Sequence, residues 1–299
     1  MGEVRERALE VLDEADLESP DDPRLRDGFV YEMLIAHEHQ HNETMLQLVQ
    51  MIDGYEPPAL DPGAGDEPVA DGPEMVEVAA GTHEIGAPER GFAYDNERPR
   101  RAVQLGPFRI DRTPVTNAAY ATFVEETGAE PPMYWEPDGG GGWVSTVFGR
   151  REPIDPDLPV IHIDFAGATA CAAWVGKRLP SELEWEAASA GAERERANLD
   201  GLAYGPAPAG AYGDALSSCG AQQMLGDVWE WTASEFTGYP GFEPFPYPEY
   251  SQAFFDSGYP VLRGGSWATR RNVVRRSFRN WDLPERRQIF SGFRCVSDV

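Results

Sequence analysis

Apolar residues at helical spacing mark the first part of the chain. Residues 3–17 and 26–52 are predicted to form two helices, because in the second an apolar side chain recurs once per helical turn. The recurring residues are Phe29, Met33, Leu34, Ile35, Met45, Leu46, Leu48, Val49 and Ile52. Two helices alone bury little apolar surface, so this segment is expected to pack against another part of the molecule.

A stretch rich in Pro, Gly and acidic residues follows, and we expect residues 55–75 to form a linker. From residue 76 onward, short β-like runs alternate with long stretches rich in Gly, Pro and aromatic residues. The runs are MVEVAAGTHEIG, FRIDRTPVT, LPVIHIDF, YPVLRGGSW and SGFRCV. This texture predicts an irregular α+β domain over residues 76–299, preceded by a helical segment over residues 1–54.

Three helices are predicted inside the second domain. Asn117–Thr127 follows a Thr-Pro turn, with Thr116 placed to cap its first turn. Residues 165–175 and 182–190 lie on either side of the turn sequence GKRLPS. With 31 Gly and 26 Pro in 299 residues, the chain carries too much turn chemistry for a mostly helical protein.

Composition narrows the possible partners and the compartment. The formal charge of −26 repels nucleic-acid phosphates and anionic lipid, so we expect neither nucleic acid nor membrane as a partner. No apolar run approaches the length of a membrane span. Cys171, Cys219 and Cys295 are odd in number and widely spaced, which argues against a disulfide framework or a zinc knuckle. Together with the charged, helix-like start, this predicts a cytoplasmic protein.

Three of the five histidines lie close together in the second predicted helix, in the sequence HEHQH. On a helix, His37 and His41 stack on one face about 40° apart, whereas His39 points elsewhere. The first two side chains can therefore hold one metal ion, and neutral imidazole suits iron, zinc or copper. Gln40 lies beside that face and could bind a ligand or water, and Glu43 is expected to fix the tautomer of an imidazole.

The alternative is that this histidine cluster is simply a polar helix surface. The apolar sequences YEMLIA and ETMLQL on both sides favour a site instead. A catalytic metal site usually has three protein ligands, so two are too few. The remaining histidines, His83 and His162, lie in β-like runs of the second domain, and we expect neither to complete the site.

The second domain resembles the formylglycine-generating-enzyme-like domain, a variant of the C-type-lectin fold. The resemblance rests on RTPVTNAAYATFV, PVIHIDFAGATACAAWVGKRLPSELEWEAAS, GDVWEWTASEF, VLRGGSWATR and SGFRCV, which occur in this order. Formylglycine-generating enzymes bind copper through a cysteine pair shortly after the GGS motif. Residues 264–273 contain no cysteine, so we do not expect copper chemistry of that type.

Nearly the whole chain resembles the sulfoxide synthases of ergothioneine biosynthesis, the hercynine oxygenases. That family joins a helical domain of the DinB type to the lectin-like domain, and residues 1–54 look like part of the helical one. Its motifs are similar to HEHQHNETML, to FPYPEY at 245–250 and to FRNWDLPERRQ at 278–288. The resemblance implies a non-haem iron(II) ion on His37 and His41. It also implies O2-dependent joining of γ-glutamylcysteine or cysteine to the imidazole of trimethylhistidine (hercynine).

The same resemblance assigns the substrate-binding residues. The face of Trp281 would attract the trimethylammonium group by cation–π interaction, and Asn280 and Gln40 would hydrogen-bond its carboxylate or imidazole. Asp282 and Arg286, at positions i and i+4, would offer one charge of each sign to the thiol substrate. Without the resemblance, those two residues would be interpreted as a surface ion pair.

Two further sets of residues follow from the resemblance. A tyrosine near the iron is expected to deliver a proton during turnover, and Tyr247 and Tyr250 are the candidates; packing is the alternative role for both. The segment QMLGDVWE resembles a calcium loop of the fold. Its oxygen donors would come from Gln223, Gly226, Val228 and Glu230, in a structural rather than catalytic role.

The chain departs from the family in its helical segment. The resemblance implies a third histidine, and arginines for the thiol substrate, from the first helices of that domain, and nothing before His37 provides a histidine. Three explanations are open: a start codon assigned too late, a split gene whose separate chain supplies the missing helices, or a degenerate homologue without iron. The intact motifs favour the first. The alternatives for function are a non-catalytic lectin-like binding module, and a related synthase that acts on histidine or uses a selenium donor. A shortened helical segment is expected to expose apolar surface.

Overall fold

The computed structural model describes residues 2–18, 21–52, 54–55, 74–213 and 215–299. Helix α1 spans Gly2–Glu14 and helix α2 spans Phe29–Gln50. α2 begins later than the sequence predicts because Asp27 and Gly28 have φ angles of 54° and 69°, in the left-handed region that interrupts a right-handed helix. Most of the predicted linker, residues 56–73, lies outside the described residues.

The remainder of the described chain combines short strands with three helices, which confirms the predicted α+β class. The helices are α3 (Asn117–Thr127), α4 (Phe165–Trp174) and α5 (Glu182–Ala188). The strands are β1 (Met75–Val78), β2 (Gly81–Ile85), β3 (Arg101–Leu105), β4 (Phe108–Asp111), β5 (Trp135–Pro137), β6 (Trp143–Val147), β7 (Arg150–Pro153), β8 (Trp229–Glu235), β9 (Pro260–Arg263), β10 (Asn280–Trp281), β11 (Ser291–Gly292) and β12 (Val296–Asp298).

The strands form several small sheets instead of one large one. Their orders are β1-β4-β12, β10-β9-β8-β11, β2-β3 and β5-β6-β7. All of these pairs are antiparallel except β11 with β8. In the second sheet, β10 pairs with β9 through Asn280 opposite Leu262 and Trp281 opposite Val261, so the predicted substrate-binding block starts on a sheet edge.

The local predictions for the second domain are confirmed in part. α3 has the predicted bounds, and the Thr116 hydroxyl accepts a hydrogen bond from the Ala119 amide at 3.3 Å. The run LPVIHIDF is not a strand: it contributes only a bridge between Pro159 and Thr116. His162, in the middle of that run, has a φ angle of 65°, and such a left-handed residue cannot continue an extended strand.

Buried ion pairs hold the loops of this domain together. The guanidinium groups of Arg263, Arg279 and Arg294 are at most 1 % exposed. Each lies within 2.6–2.7 Å of a glutamate carboxylate oxygen: Glu186, Glu182 and Glu230 respectively. Because a buried charge is tolerated only when it is paired and hydrogen-bonded, these contacts fix the course of the long irregular segments. Within the described chain, no helix is both long and apolar enough to cross a bilayer.

Candidate active site

His37 and His41 lie together on α2 with their Nε2 atoms 2.8 Å apart and their rings edge to face. Two imidazole nitrogens bound at a right angle to one ion would be about 3 Å apart, so the pair fits two positions of one metal ion. Burial, followed by the neighbouring His41, lowers the pKa of His37, and the neutral ring is the form that binds metal. His39 points away, as predicted; burial and nearby Arg270 lower its pKa.

No third ligand joins this pair among the residues that the structure describes, where no cluster of three His, Cys, Asp or Glu side chains suits a metal ion. His83 lies on β2, in the sheet with β3. His162 is buried, and its ring nitrogens contact the Gln50 amide nitrogen at 3.3 Å and the Arg287 carbonyl at 3.2 Å. Burial lowers the pKa of His162 to about 4, so it is a neutral core residue.

The predicted role of Glu43 is wrong. Its carboxylate accepts hydrogen bonds from the Ser266 hydroxyl at 2.6 Å, the Thr269 hydroxyl at 2.6 Å and the Trp229 indole N–H at 2.8 Å. The reason is geometric: at about 100° per residue, Glu43 lies about 200° around the helix from His41 and cannot reach its ring. Glu43 instead connects α2 to the GGS motif and to the loop that follows it. Burial raises the pKa of this carboxyl group.

Gln40 connects α2 to a set of aromatic rings. The Tyr94 hydroxyl donates to the Gln40 amide oxygen at 2.8 Å, and the Tyr250 hydroxyl lies 3.4 Å from both the oxygen and the nitrogen of that amide. Tyr94 stacks on Tyr250 with ring centroids 4.3 Å apart, and Trp281 meets Tyr250 edge-on at 5.9 Å. We call Tyr94, Tyr250 and Trp281 the aromatic wall.

Tyr94 is a residue that the sequence did not indicate. It lies in the loop between β2 and β3, 54 residues after its hydrogen-bond partner, and its local sequence FAYDNE carries no recognisable motif. Burial raises the pKa of Tyr94 to about 12 and that of Tyr250 well above its ordinary value, so both phenols are protonated at neutral pH.

The loop 245–250 brings Tyr250 to Gln40, and Tyr247 reaches the Tyr250 ring. Phe245 packs edge-on against Phe29 at the start of α2, with centroids 4.7 Å apart. The Phe245 amide donates to Asp95 at 3.1 Å. Tyr247 is 39 % exposed and contacts the Tyr250 ring edge-on at 6.5 Å. The two tyrosines are therefore neighbours, with Tyr250 half-buried and Tyr247 open to solvent.

The segment FRNWDLPERRQ supplies one ring of the aromatic wall, Trp281, and an ion pair that begins at the next residue. Trp281 stacks on Phe236 with centroids 4.0 Å apart, which fixes the plane of the indole. Asp282 and Arg286 contact each other at 3.3 Å, the ion pair that the alternative interpretation predicts. Burial raises the pKa of Asp282 against the opposing effect of Arg286. Each charge is thus paired within the protein.

The residues of the predicted calcium loop do not fit a calcium ion. Both oxygens of Glu230 accept hydrogen bonds from Arg294, at 2.7 and 2.8 Å, and one also accepts from the Trp185 indole. The Gln223 amide oxygen accepts from the Gly210 amide, and the Gly226 carbonyl accepts from Val228. A buried guanidinium already supplies the positive charge, so the loop is stabilised without a cation. The prediction of a calcium site in this loop is therefore wrong.

Comparison with known proteins places these features in a family. Residues 62–299 match the sulfatase-modifying factor enzyme 1-like domain. The hercynine oxygenase of Mycolicibacterium thermoresistibile is 42% identical, with 99% of this chain and 73% of that protein aligned. The hercynine oxygenase of Mycolicibacterium smegmatis is 44% identical, with 99% of this chain and 76% of that protein aligned.

A solved structure shares the fold. PvdO from Pseudomonas aeruginosa superimposes with a TM-score of 0.58 at 23% sequence identity, covering 78% of this chain and all of PvdO. This likeness concerns the fold alone. The alignments to the two oxygenases cover almost all of this chain, the helical segment included. The chain therefore belongs to the hercynine oxygenase family and carries that family's sulfatase-modifying factor enzyme 1-like domain.

Proposed function

We propose that this protein is an iron(II)- and O2-dependent sulfoxide synthase that joins a thiol to the imidazole of hercynine in ergothioneine biosynthesis. One observation carries the proposal: the metal-competent pair His37 and His41 flanks Gln40, and Gln40 is hydrogen-bonded to the aromatic wall. A metal site and a cation-binding aromatic surface thus share one region. The names of the related oxygenases support the same reaction.

His37 and His41 would hold the iron through their Nε2 atoms, since both rings present this atom on the same helix face. When bound, iron(II) supplies the activation of dioxygen that oxidation of a thiol sulfur requires. The protein's own contribution is to keep the His37 imidazole neutral. The lowered pKa of His37 serves this purpose at neutral pH, because protonated imidazole cannot bind metal.

The aromatic wall would hold hercynine by its trimethylammonium group. A quaternary ammonium donates no hydrogen bonds, so aromatic faces are its natural partners, at about 0.5–2 kcal/mol for each well-placed ring. Trp281 is held flat by Phe236, and Tyr250 by Tyr94, which preorganises both rings. Asn280 directly precedes Trp281 on β10. Gln40 and Asn280 would hydrogen-bond the carboxylate or imidazole of the substrate.

The ion pair of Asp282 and Arg286 would bind the thiol substrate by exchange of partners. γ-Glutamylcysteine and cysteine each carry carboxylate and ammonium groups. A carboxylate can replace Asp282 at the guanidinium, while an ammonium replaces Arg286 at Asp282. Because both charges are already paired in the free protein, neither is left uncompensated before the substrate arrives.

A phenol of loop 245–250 would deliver a proton at the reacting centre, where proton supply favours C–S bond formation over simple thiol oxidation. Tyr250 contacts Gln40 and Tyr247 contacts the Tyr250 ring, and the raised pKa of Tyr250 keeps its proton in place until a strong base forms nearby. Replacing each tyrosine by Phe distinguishes the two. The donor is the one whose loss shifts the product from sulfoxide to oxidised thiol.

The direct test is anaerobic reconstitution with Fe(II), followed by addition of O2, hercynine and γ-glutamylcysteine. We expect oxygen consumption together with a sulfoxide product detected by mass spectrometry. Parallel reactions with cysteine, with a selenol donor and with histidine in place of hercynine define the substrates. Hercynine binding without iron-dependent oxygen consumption would contradict the proposal and support the non-catalytic binding module instead.

A further inference from the structure

Tyr94 is buried at 2 % exposure and provides the shortest hydrogen bond between Gln40 and the second domain. We propose that Tyr94 is a positioning residue, which fixes the orientation of the Gln40 amide so that its nitrogen is the atom offered to the substrate. The inference rests on the proposed function and deepens it. It makes this part of the site specific for a hydrogen-bond acceptor on the substrate.

The distances separate Tyr94 from Tyr250 in this role. The Tyr250 hydroxyl lies 3.4 Å from the amide oxygen and 3.4 Å from the amide nitrogen, so it does not distinguish the two orientations of the amide. The Tyr94 hydroxyl lies 2.8 Å from the oxygen, in the range of a strong O–H donor. In this hydrogen bond the Tyr94 hydroxyl donates and the amide oxygen accepts, which leaves the amide nitrogen free of Tyr94.

Tyr94 can impose this orientation because its own position is fixed. Its backbone amide donates to Glu97 at 2.9 Å, and Glu97 is fully buried. Glu97 in turn accepts hydrogen bonds from the Ser277 hydroxyl and the Arg275 guanidinium, both at 2.7 Å. The stack on Tyr250 holds the phenol plane. Tyr94, held by its own contacts within the second domain, therefore sets the rotamer of the Gln40 side chain on α2.

The chemical consequence is a preference for one class of substrate group. Because the Gln40 amide oxygen accepts the hydrogen bond from Tyr94, the Gln40 amide presents its N–H donor next to His41. A carboxylate or an unprotonated imidazole nitrogen matches that donor, whereas a substrate N–H placed there would face another donor. The amide thus selects for the acceptor atoms of hercynine and for its neutral imidazole.

The test is a double-mutant cycle on hercynine affinity, measured by calorimetry on the Fe(II)-loaded full chain without O2. We expect Tyr94→Phe to weaken binding about tenfold, and Gln40→Ala by at least as much. In the double variant, Tyr94→Phe should add nothing to Gln40→Ala, because it acts only through the amide. Gln40→Glu should bind as weakly as Gln40→Ala, since it keeps the acceptor for Tyr94 but lacks the N–H.

Tyr239→Phe is the matched control, because Tyr239 is also a buried tyrosine and its hydroxyl has no hydrogen-bond partner in the described residues. We expect it to bind hercynine as the unmodified protein does. Additive losses in the cycle, or normal affinity in Gln40→Glu, would overturn the positioning role while leaving the proposed function standing. If the unmodified protein neither binds nor converts hercynine, both proposals fail, so the two failures are distinguishable.

Discussion

The two regions that border the candidate site are stabilised in different ways. In the second domain, Arg263, Arg279 and Arg294 are buried and paired with glutamates, and they connect segments far apart in the chain. α2, in contrast, leaves Leu48 and Met45 58 % exposed, beside His41. The apolar exposure that the sequence predicted for this segment is present. The difference indicates that folding of the second domain fixes the aromatic wall. The position of α2, in contrast, depends on its contacts with that domain.

Docking of α2 relies on polar as much as apolar contacts. The residues of α2 that are buried share one face and include three polar ones: Phe29, Ala36, Glu43, Gln47 and Gln50. Among them, Glu43 makes three hydrogen bonds to the second domain, all from uncharged donors. This carboxylate links the two regions alongside Gln40, and variants can separate internal stability, metal binding and docking.

The largest effect on stability is expected from Arg294→Met in the second domain. Removing the guanidinium leaves Glu230 buried and unpaired, which should reduce the free energy of unfolding by about 3–5 kcal/mol. Urea denaturation measures this. Arg24→Met, which breaks an exposed pair with Asp22 in the helical segment, should cause no measurable loss. Equal losses in the two variants would contradict the contrast between the regions.

The next effect concerns metal affinity. His41→Ala should lower the affinity for Fe(II) at least about a hundredfold, because a direct ligand contributes more than the hydrogen-bonded groups around it. Since His41 is exposed, the unfolding midpoint of the metal-free protein should not change. His39→Ala, two positions away on another face, is the matched control and should retain iron. Loss of iron in His39→Ala alone would show that the wrong face was assigned.

Docking is tested at Glu43. Glu43→Ala leaves the Trp229 indole and two hydroxyls without their acceptor, which should lower the free energy of unfolding by about 2 kcal/mol. It should also weaken Fe(II) binding although Glu43 is no ligand. Glu43→Gln retains an acceptor and a similar shape, and should recover most of both losses. An unaltered iron affinity in Glu43→Ala would mean that α2 holds its ligands without this link.

A smaller, pH-dependent effect follows from the raised pKa of Glu43. Because the folded protein holds this proton more tightly than the unfolded chain, the stability contributed by Glu43 is fully present below the unfolded pKa of about 4.5. It is lost as the pH rises through the higher folded pKa. The stability of Glu43→Gln should therefore rise relative to that of the unmodified protein as the pH increases from 4.5 towards neutrality. Parallel stability curves for the two proteins would contradict this.

The smallest effect is expected on the exposed face of α2. Leu48→Ser should change the free energy of unfolding by less than about 0.5 kcal/mol, because the Leu48 side chain is already largely exposed to solvent in the folded protein. Leu262→Ser, at a fully buried position on β9, provides the contrast and should be strongly destabilising. A large loss from Leu48→Ser would reveal that this face is covered in solution.

The local parts of this structure could be predicted from the sequence, and the long-range parts could not. Helix α3, its cap at Thr116 and the pairing of His37 with His41 depend on neighbours within a few residues. The role of Glu43 depends on Ser266, 223 residues later, and only the docked helix shows which side of α2 faces that loop. Tyr94 was missed because nothing near it in sequence marks its contact with Gln40.

The same limit explains the two errors in the second domain. The run LPVIHIDF has strand-like composition, but the left-handed backbone at His162 is set by its surroundings in the core. The predicted calcium loop has suitable oxygen donors in order, yet Arg294, 64 residues after Glu230, occupies the carboxylate. In both cases a partner distant in sequence overrides the local pattern.

The most direct test of the central claim is a crystal structure of the protein grown anaerobically with Fe(II) and hercynine, measured at the iron absorption edge. We predict an anomalous peak within about 2.2 Å of the Nε2 atoms of both His37 and His41. The trimethylammonium group should lie against Trp281, with the Gln40 amide nitrogen pointing at a substrate acceptor. An iron peak elsewhere, or a histidine pair left at 2.8 Å with hercynine bound far from the aromatic wall, would contradict the account.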